Sequence, residues 1–134
     1  MSAVRLVRSD GLAAAPYAYA SRVEAGAELI FLAGACPLAD DGSTVAVGDV
    51  AGQARRCLET MLVALDAAGA ALADVASTRV LVASSDRRDL VAAWDVVHAA
   101  FGDHDVPSTL IGVAALGYPD QLVEIEAVAA VRRG

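Results

Sequence analysis

Leu122-Val123-Glu124-Ile125-Glu126-Ala127-Val128 reads as a strand with Val123, Ile125 and Ala127 on one side and Glu124 and Glu126 on the other. Successive side chains of an extended chain point to opposite faces, so the apolar set calls for a covering layer of helices. The opposite face mixes the two carboxylates with Leu122 and Val128, which makes it neither a core nor a plain solvent surface. A subunit interface containing polar clefts satisfies both halves of that face.

The rest of the chain supplies the layers this strand needs. Upstream, the turn Gly117-Tyr118-Pro119-Asp120 separates it from a strand over Thr109 to Ala115. Asp49 is an N-cap for a helix running to about Ala68, with Leu58, Met61, Leu62 and Leu65 at helical spacing and Gly69 to end it. Thr78 to Ala83 is a β-branched run. Ser84-Ser85-Asp86 then caps a second helix carrying Leu90, Trp94, Val97 and Phe101, which Gly102 closes. Nearer the N-terminus, Ala3 to Val7, Tyr19 to Val23 and Glu28 to Ala33 read as strands, the last two joined as a hairpin through Glu24-Ala25-Gly26-Ala27. The order is three strands, helix, strand, helix, two strands. Crossover connections through the two helices put both on one face of a mixed sheet, an α+β arrangement.

Bulk properties bound the function. The 134 residues fit one domain over 1–134 with a core of its own. Of these, 57% are hydrophobic but only 4% aromatic, so the core is built from Ala, Val, Leu and Ile, and part of the apolar surface is expected to be covered by other copies of the chain. A formal charge of −7 repels phosphate backbones and argues against nucleic-acid partners. No apolar run approaches the roughly 20 residues that cross a membrane, and the start Met1-Ser2-Ala3-Val4-Arg5 has no signal-peptide character, which predicts a cytoplasmic protein without membrane contact. Cys36 and Cys57 are expected as free thiols, and His98 and His104 lie outside any ligand spacing, so no metal is expected.

Several pieces in fixed order resemble the Rid/YjgF superfamily. They are Pro16-Tyr17, Phe31-Leu32-Ala33-Gly34-Ala35-Cys36-Pro37-Leu38, the helix from Asp49 with Gln53, Ala67-Ala68-Gly69, and Val123-Glu124-Ile125-Glu126-Ala127. The resemblance implies a chorismate-mutase-like (YjgF) α+β fold: one mixed six-stranded sheet with two helices on one face, assembled as a homotrimer with small-molecule clefts between subunits. It also implies a cofactor-free hydrolase or deaminase acting on reactive imines or enamines. The alternative is a non-catalytic metabolite-binding or sensing trimer of the same fold. In the imine deaminases an arginine clamps the substrate carboxylate, a task suited to a bidentate guanidinium. Aligning Pro107 and Val113-Ala114-Ala115-Leu116 with that strand puts Ser108 at the arginine's position, which implies an altered substrate, since a hydroxyl cannot replace the charge.

The same resemblance nominates the site. Tyr17 matches the family's cleft tyrosine and Glu124 the carboxylate that positions the attacking water; these two are the candidate catalytic residues. Gly34 permits close approach of backbone to a ligand, or marks a bulge. Ser108 is a candidate ligand contact or a cap at the strand entry. Cys36, at the mouth of the expected cleft, is either a nucleophile or an inert thiol. Arg79, facing away from Val80 and Val82, is either a displaced anion clamp or an ion-pair partner for a carboxylate such as Glu126.

Overall fold

The computed structural model describes residues 2–133. Its strands are β1 (Val4–Val7), β2 (Ala20–Val23), β3 (Glu28–Phe31), β4 (Val75–Val82), β5 (Ser108–Gly112) and β6 (Val123–Val131). Its helices are α1 (Val50–Ala67) and α2 (Arg87–Phe101), with a single 3-10 turn over Leu72–Asp74. The N-caps are Asp49, which accepts from Gly52 N, and Asp86, which accepts from Arg88 N. Each such cap contributes about 1 kcal/mol by satisfying an amide that the first turn leaves open. Gly69 and Gly102 follow the helices at positive φ, where a side chain would be strained.

The strand with alternating carboxylates, β6, lies inside the sheet. Four strands run in the order β3-β6-β4-β5, with β6 antiparallel to both β3 and β4, and β4 parallel to β5 through the α2 crossover. Val123, Ile125, Ala127 and Ala129 of β6 join Val80 and Val82 of β4 beneath Ala54, Cys57, Met61 and Leu65 of α1 and Ala93 and Val97 of α2. The two helices therefore share one face, as the alternation requires. Large rings are few in this layer, as the composition predicts: Phe101 is the one aromatic residue of the buried cluster among the described residues.

The N-terminal strands differ from the sequence reading. The turn at Glu24 to Ala27 is present, with Ala27 N donating to Glu24 O and Gly26 at φ 81°, but β2 and β3 do not pair across it. Instead β2 pairs with β1, and β3 crosses to the free edge of β6. Ile30 explains the choice: opposite the fully buried Ala129 it packs against the main core, which a partnership with the largely exposed β2 would not offer. All six strands exist, but the β1–β2 ladder is hydrogen-bonded separately. It is held to the sheet by Val4 packing with Ala76 and Ala130, and by Ser21 Oγ donating to Ala76 O.

β4 begins three residues earlier than expected, directly after the 3-10 turn. β5 ends at Gly112, where a Cβ would stand 2.7 Å from Ser84 O, so the chain leaving β4 closes the strand there.

Candidate functional site

Where β3 runs on past Phe31, Phe31 opposes Val128 but Ala35 opposes Ile125, so one additional residue is accommodated against β6. The irregularity turns Ala35 into the core and brings Gly34 and Cys36 alongside Glu124. A Cβ on Gly34 would stand 2.3 Å from Glu124 Oε2, so the carboxylate occupies space that only glycine leaves. Cys36 Sγ lies 3.3 Å from Glu124 Oε1 as donor, and Gln121 Nε2 donates to the same oxygen at 3.2 Å. Gly34 and Cys36 also line a groove of about 610 Å³ that continues along Leu38, Arg56 and Thr60 to Tyr118.

Burial first, then the Glu124 hydrogen bond and charge, push the Cys36 thiol up to about 11. No cation offsets this, so the geometry makes Cys36 a proton-bearing donor and not a nucleophile. Burial likewise pushes the Cys57 thiol up. Iodoacetamide should accordingly modify Cys36 about a hundredfold more slowly at pH 8 than a free cysteine, because only the thiolate reacts. The rate should climb towards a midpoint near 11. Mass spectrometry across a pH series checks this, and a midpoint near the ordinary thiol value would contradict it.

The remaining candidates gather elsewhere. Tyr17, Arg79, Pro107, Ser108 and Thr109 border a second depression, of about 360 Å³. The loop bearing Tyr17 is tied down by Ala18 N donating to Asp105 O at 2.8 Å and by the Arg8–Asp105 ion pair. The Tyr17 ring meets Tyr19 and Trp94 edge-on, with centroids at 5.6 and 6.4 Å. Tyr19 donates its hydroxyl to Ala13 O, whereas no hydrogen bond among the described residues engages that of Tyr17.

Ser108 lies in register with Thr78, whose hydroxyl donates to Ser108 Oγ at 2.7 Å on the face that α2 covers, near Trp94 and His98. Thr109 is the residue of β5 opposite Arg79 and hence on the open face. Sequence alignment singles out Ser108, but the register makes Thr109 the polar β5 side chain that shares a face with Arg79 and Glu124. Arg79 opposes Glu126 and pairs with it at 3.4 Å, both about half exposed, an interaction of about 0.2–1 kcal/mol.

The two groups do not meet within one protomer. Glu124 opposes Leu81, while Ser108 opposes Thr78 on the strand beyond, which separates them by roughly 14 Å at standard strand spacing. The cations beside both groups are also engaged. Arg56 donates through Nε to Leu38 O and pairs with Glu59 at 3.0 Å and Asp40 at 3.6 Å.

Two buried glutamines escape the sequence reading as site residues. Gln53 donates to Asp120 O at 2.9 Å and accepts from Leu122 N at 2.7 Å, which pins the turn before β6 to α1. Gln121, between those two anchors, contacts Glu124 directly. His98 stacks on Trp94 and His104 Nε2 lies 2.8 Å from Val75 O, so each ring is engaged within the protomer. Among the described residues no three His, Cys, Asp or Glu side chains come together as a metal site, and no helix is long and apolar enough to cross a membrane.

Comparison with known proteins converges on one family. Residues 10–131 match the family described as Endoribonuclease L-PSP. The 3-aminoacrylate deaminase RutC of Acinetobacter baylyi is 32% identical over 117 residues, which cover 87% of this chain and 88% of that one. A RutC family protein of Pyrococcus horikoshii is 32% identical over 111 residues, 83% and 85% of the two chains. The Rid family protein YyfB of Yersinia pestis, of unknown function, superposes with a TM-score of 0.87 at 27% identity over 96% of this chain and 99% of that one. A YjgF/YER057c/UK114 family member from Mycobacterium tuberculosis is 34% identical with a TM-score of 0.66, at 96% and 99% coverage. The strand order, the paired helices on one face and these similarities agree: the chain belongs to the Rid/YjgF superfamily.

Proposed function

We propose that the protein is a cytoplasmic homotrimer that hydrolyses an imine, enamine or related small metabolite in clefts between subunits. Glu124 of one protomer and Tyr17 of its neighbour would face each substrate. The observation that carries this reading is the Glu124 carboxylate, with Oε1 held by Cys36 and Gln121 and Oε2 lying over Gly34. A carboxylate so placed takes a proton from water as the oxygen bonds to the C=N carbon, and the Tyr17 hydroxyl donates towards the nitrogen. Glu124 passes that proton to the nitrogen, then carries the hydroxyl proton of the carbinolamine to the amino group as the C=O bond forms and the C–N bond breaks, so that ammonia leaves and Glu124 is ionised again. An imine carbon is already electrophilic, so positioning and proton transfer suffice and no cofactor is required. The similarity to a 3-aminoacrylate deaminase supports this class of reaction.

The substrate is expected to differ from a 2-imino acid. Arg79 and Arg56 are each paired with carboxylates, and Ser108 bonds Thr78, so a substrate carboxylate finds no uncommitted cation among the residues bordering either depression. Uncharged imines and enamines fit this electrostatic setting better.

The test is ammonia release from a panel of freshly generated imines, with an RNA oligonucleotide as a control substrate. Uncharged imines should be hydrolysed faster than in buffer and at least about tenfold more efficiently than 2-imino acids. Tyr17→Phe should lower kcat about tenfold or more. A protein that binds small ligands but accelerates none of the panel is a binding or sensing trimer and not an enzyme. RNA cleavage would contradict the expectation drawn from the charge of −7.

A further inference from the structure

We infer that Gln121 is a positioning residue: its buried side-chain amide holds Oε1 of Glu124 at the start of β6, so that Oε2 is the oxygen left over Gly34 for substrate. This rests on the reading of Glu124 as the proton acceptor, and three observations support it.

First, Gln121 is only 4% exposed, and its hydrogen bonds define which way the amide points. Its Oε1 accepts from Tyr118 N at 3.1 Å, while Nε2 donates to Val123 O at 3.1 Å and Glu124 Oε1 at 3.2 Å. The flipped amide would set an NH2 against an N–H and an oxygen against a carboxylate, losing all three bonds. Second, the backbone on both sides of Gln121 is anchored. Gln53 on α1 holds Asp120 O and Leu122 N, and Asp120 sits at φ 61°, a conformation that side-chain-bearing residues seldom adopt. Third, Glu124 Oε1 receives the Cys36 thiol as well, so its acceptor capacity is taken up inside the protein. Oε2 is left over Gly34, in space that a single Cβ would close. The carboxylate thus has one anchored oxygen and one presented oxygen, a distinction set chiefly by Gln121.

The titratable and charged groups around this carboxylate are the Cys36 thiol, the buried Cys57 thiol of α1 and, along the same face, the Arg79–Glu126 pair. Gln121 also acts on the Cys36 thiol, but that thiol titrates near 11, far above an acidic limb, so a shift of that limb in a Gln121 variant reports on Glu124.

Two variants of the full-length protein test the inference with an imine that the wild type hydrolyses. Gln121→Leu removes the donor and should lower kcat about tenfold with KM unchanged within about twofold, since orientation and not binding is lost. Gln121→Glu keeps the acceptor for Tyr118 N but sets a second carboxylate against Glu124. It should move the acidic limb of the kcat profile upward by about one pH unit. A merely structural role would lower the melting temperature and leave that limb in place. Either variant, folded and with wild-type kcat and pH limb, overturns the inference. A crystal structure of Gln121→Leu decides independently of turnover: Glu124 should leave the Cys36 contact or become disordered, and a carboxylate still seated as before overturns it. If the wild type hydrolyses no imine, the hydrolase reading fails while the crystal structure still answers for Gln121.

Discussion

Glu124→Gln should reduce turnover of the best imine substrate by about 10²- to 10³-fold while leaving the fold and ligand affinity close to wild type. The substitution suits the site because glutamine keeps the length and planarity of glutamate. Its amide oxygen can take the place of Oε1 and accept from both Cys36 Sγ and Gln121 Nε2, and its NH2 falls where Oε2 lies over Gly34. Only the capacity to accept a proton disappears. A kcat loss with KM within a few-fold therefore identifies Glu124 as acting in the transition state and not in ground-state binding. The measurement is steady-state ammonia release, paired with a ligand-binding isotherm on the same preparation. Wild-type kcat in a folded Glu124→Gln protein would remove Glu124 from the mechanism.

Most of the framework can be read from residue order. The alternation around Ile125 places β6 between a helix layer and an open face, and the caps Asp49 and Asp86 set both helix starts to within a residue. These signals are local: a strand's facing depends on neighbours two residues away, and a cap depends on the next turn. What sequence cannot convey is partnership. Glu24 to Ala27 marks a reversal of the chain, yet whether β3 joins β2 or β6 depends on where Ile30 finds burial, a property of the assembled core.

The site shows the same division. Gly34 and Cys36 stand in one motif and Glu124 in another, and they lie together because the chain leaving β3 stays antiparallel to β6 through Ala35 and Ile125. Ser108 illustrates the opposite case, since a one-residue difference in register exchanges the faces of a strand. Its pairing with Thr78 sends it beneath α2, while Thr109 faces Arg79. Gln121 could not be singled out at all. In sequence it is one polar residue following a turn, and its role exists only because Gln53, from α1, anchors the backbone on both sides of it.

Phe31→Glu should convert the assembly to monomers and abolish imine hydrolysis together, the second of the two largest effects. Phe31 is 73% exposed and Leu29 50% exposed, both on the sheet face that the helices leave open. Phe31 opposes Val128, and the partly buried Leu81 and Ile111 extend the apolar area around Glu124, Glu126 and Arg79. An apolar face interrupted by a few charges is what a subunit interface with polar clefts requires. On the proposed reading, the separation of roughly 14 Å between the Glu124 and Ser108 groups, at standard strand spacing, calls for a second copy to bring the two halves together. The wild type should therefore sediment as a trimer, three times 13.6 kDa. A glutamate at position 31 would bury an unpaired charge in every interface, a cost of several kcal/mol per site, of order that of a whole contact region. Because Phe31 is so exposed within the protomer, far-ultraviolet circular dichroism should show an intact monomer fold. Analytical ultracentrifugation and the ammonia assay on the same sample separate the outcomes. If the variant stays trimeric, Phe31 lies outside the interface; if a monomer hydrolyses imines at the wild-type rate, Tyr17 and Glu124 do not act across subunits and the cleft must be sought within one chain.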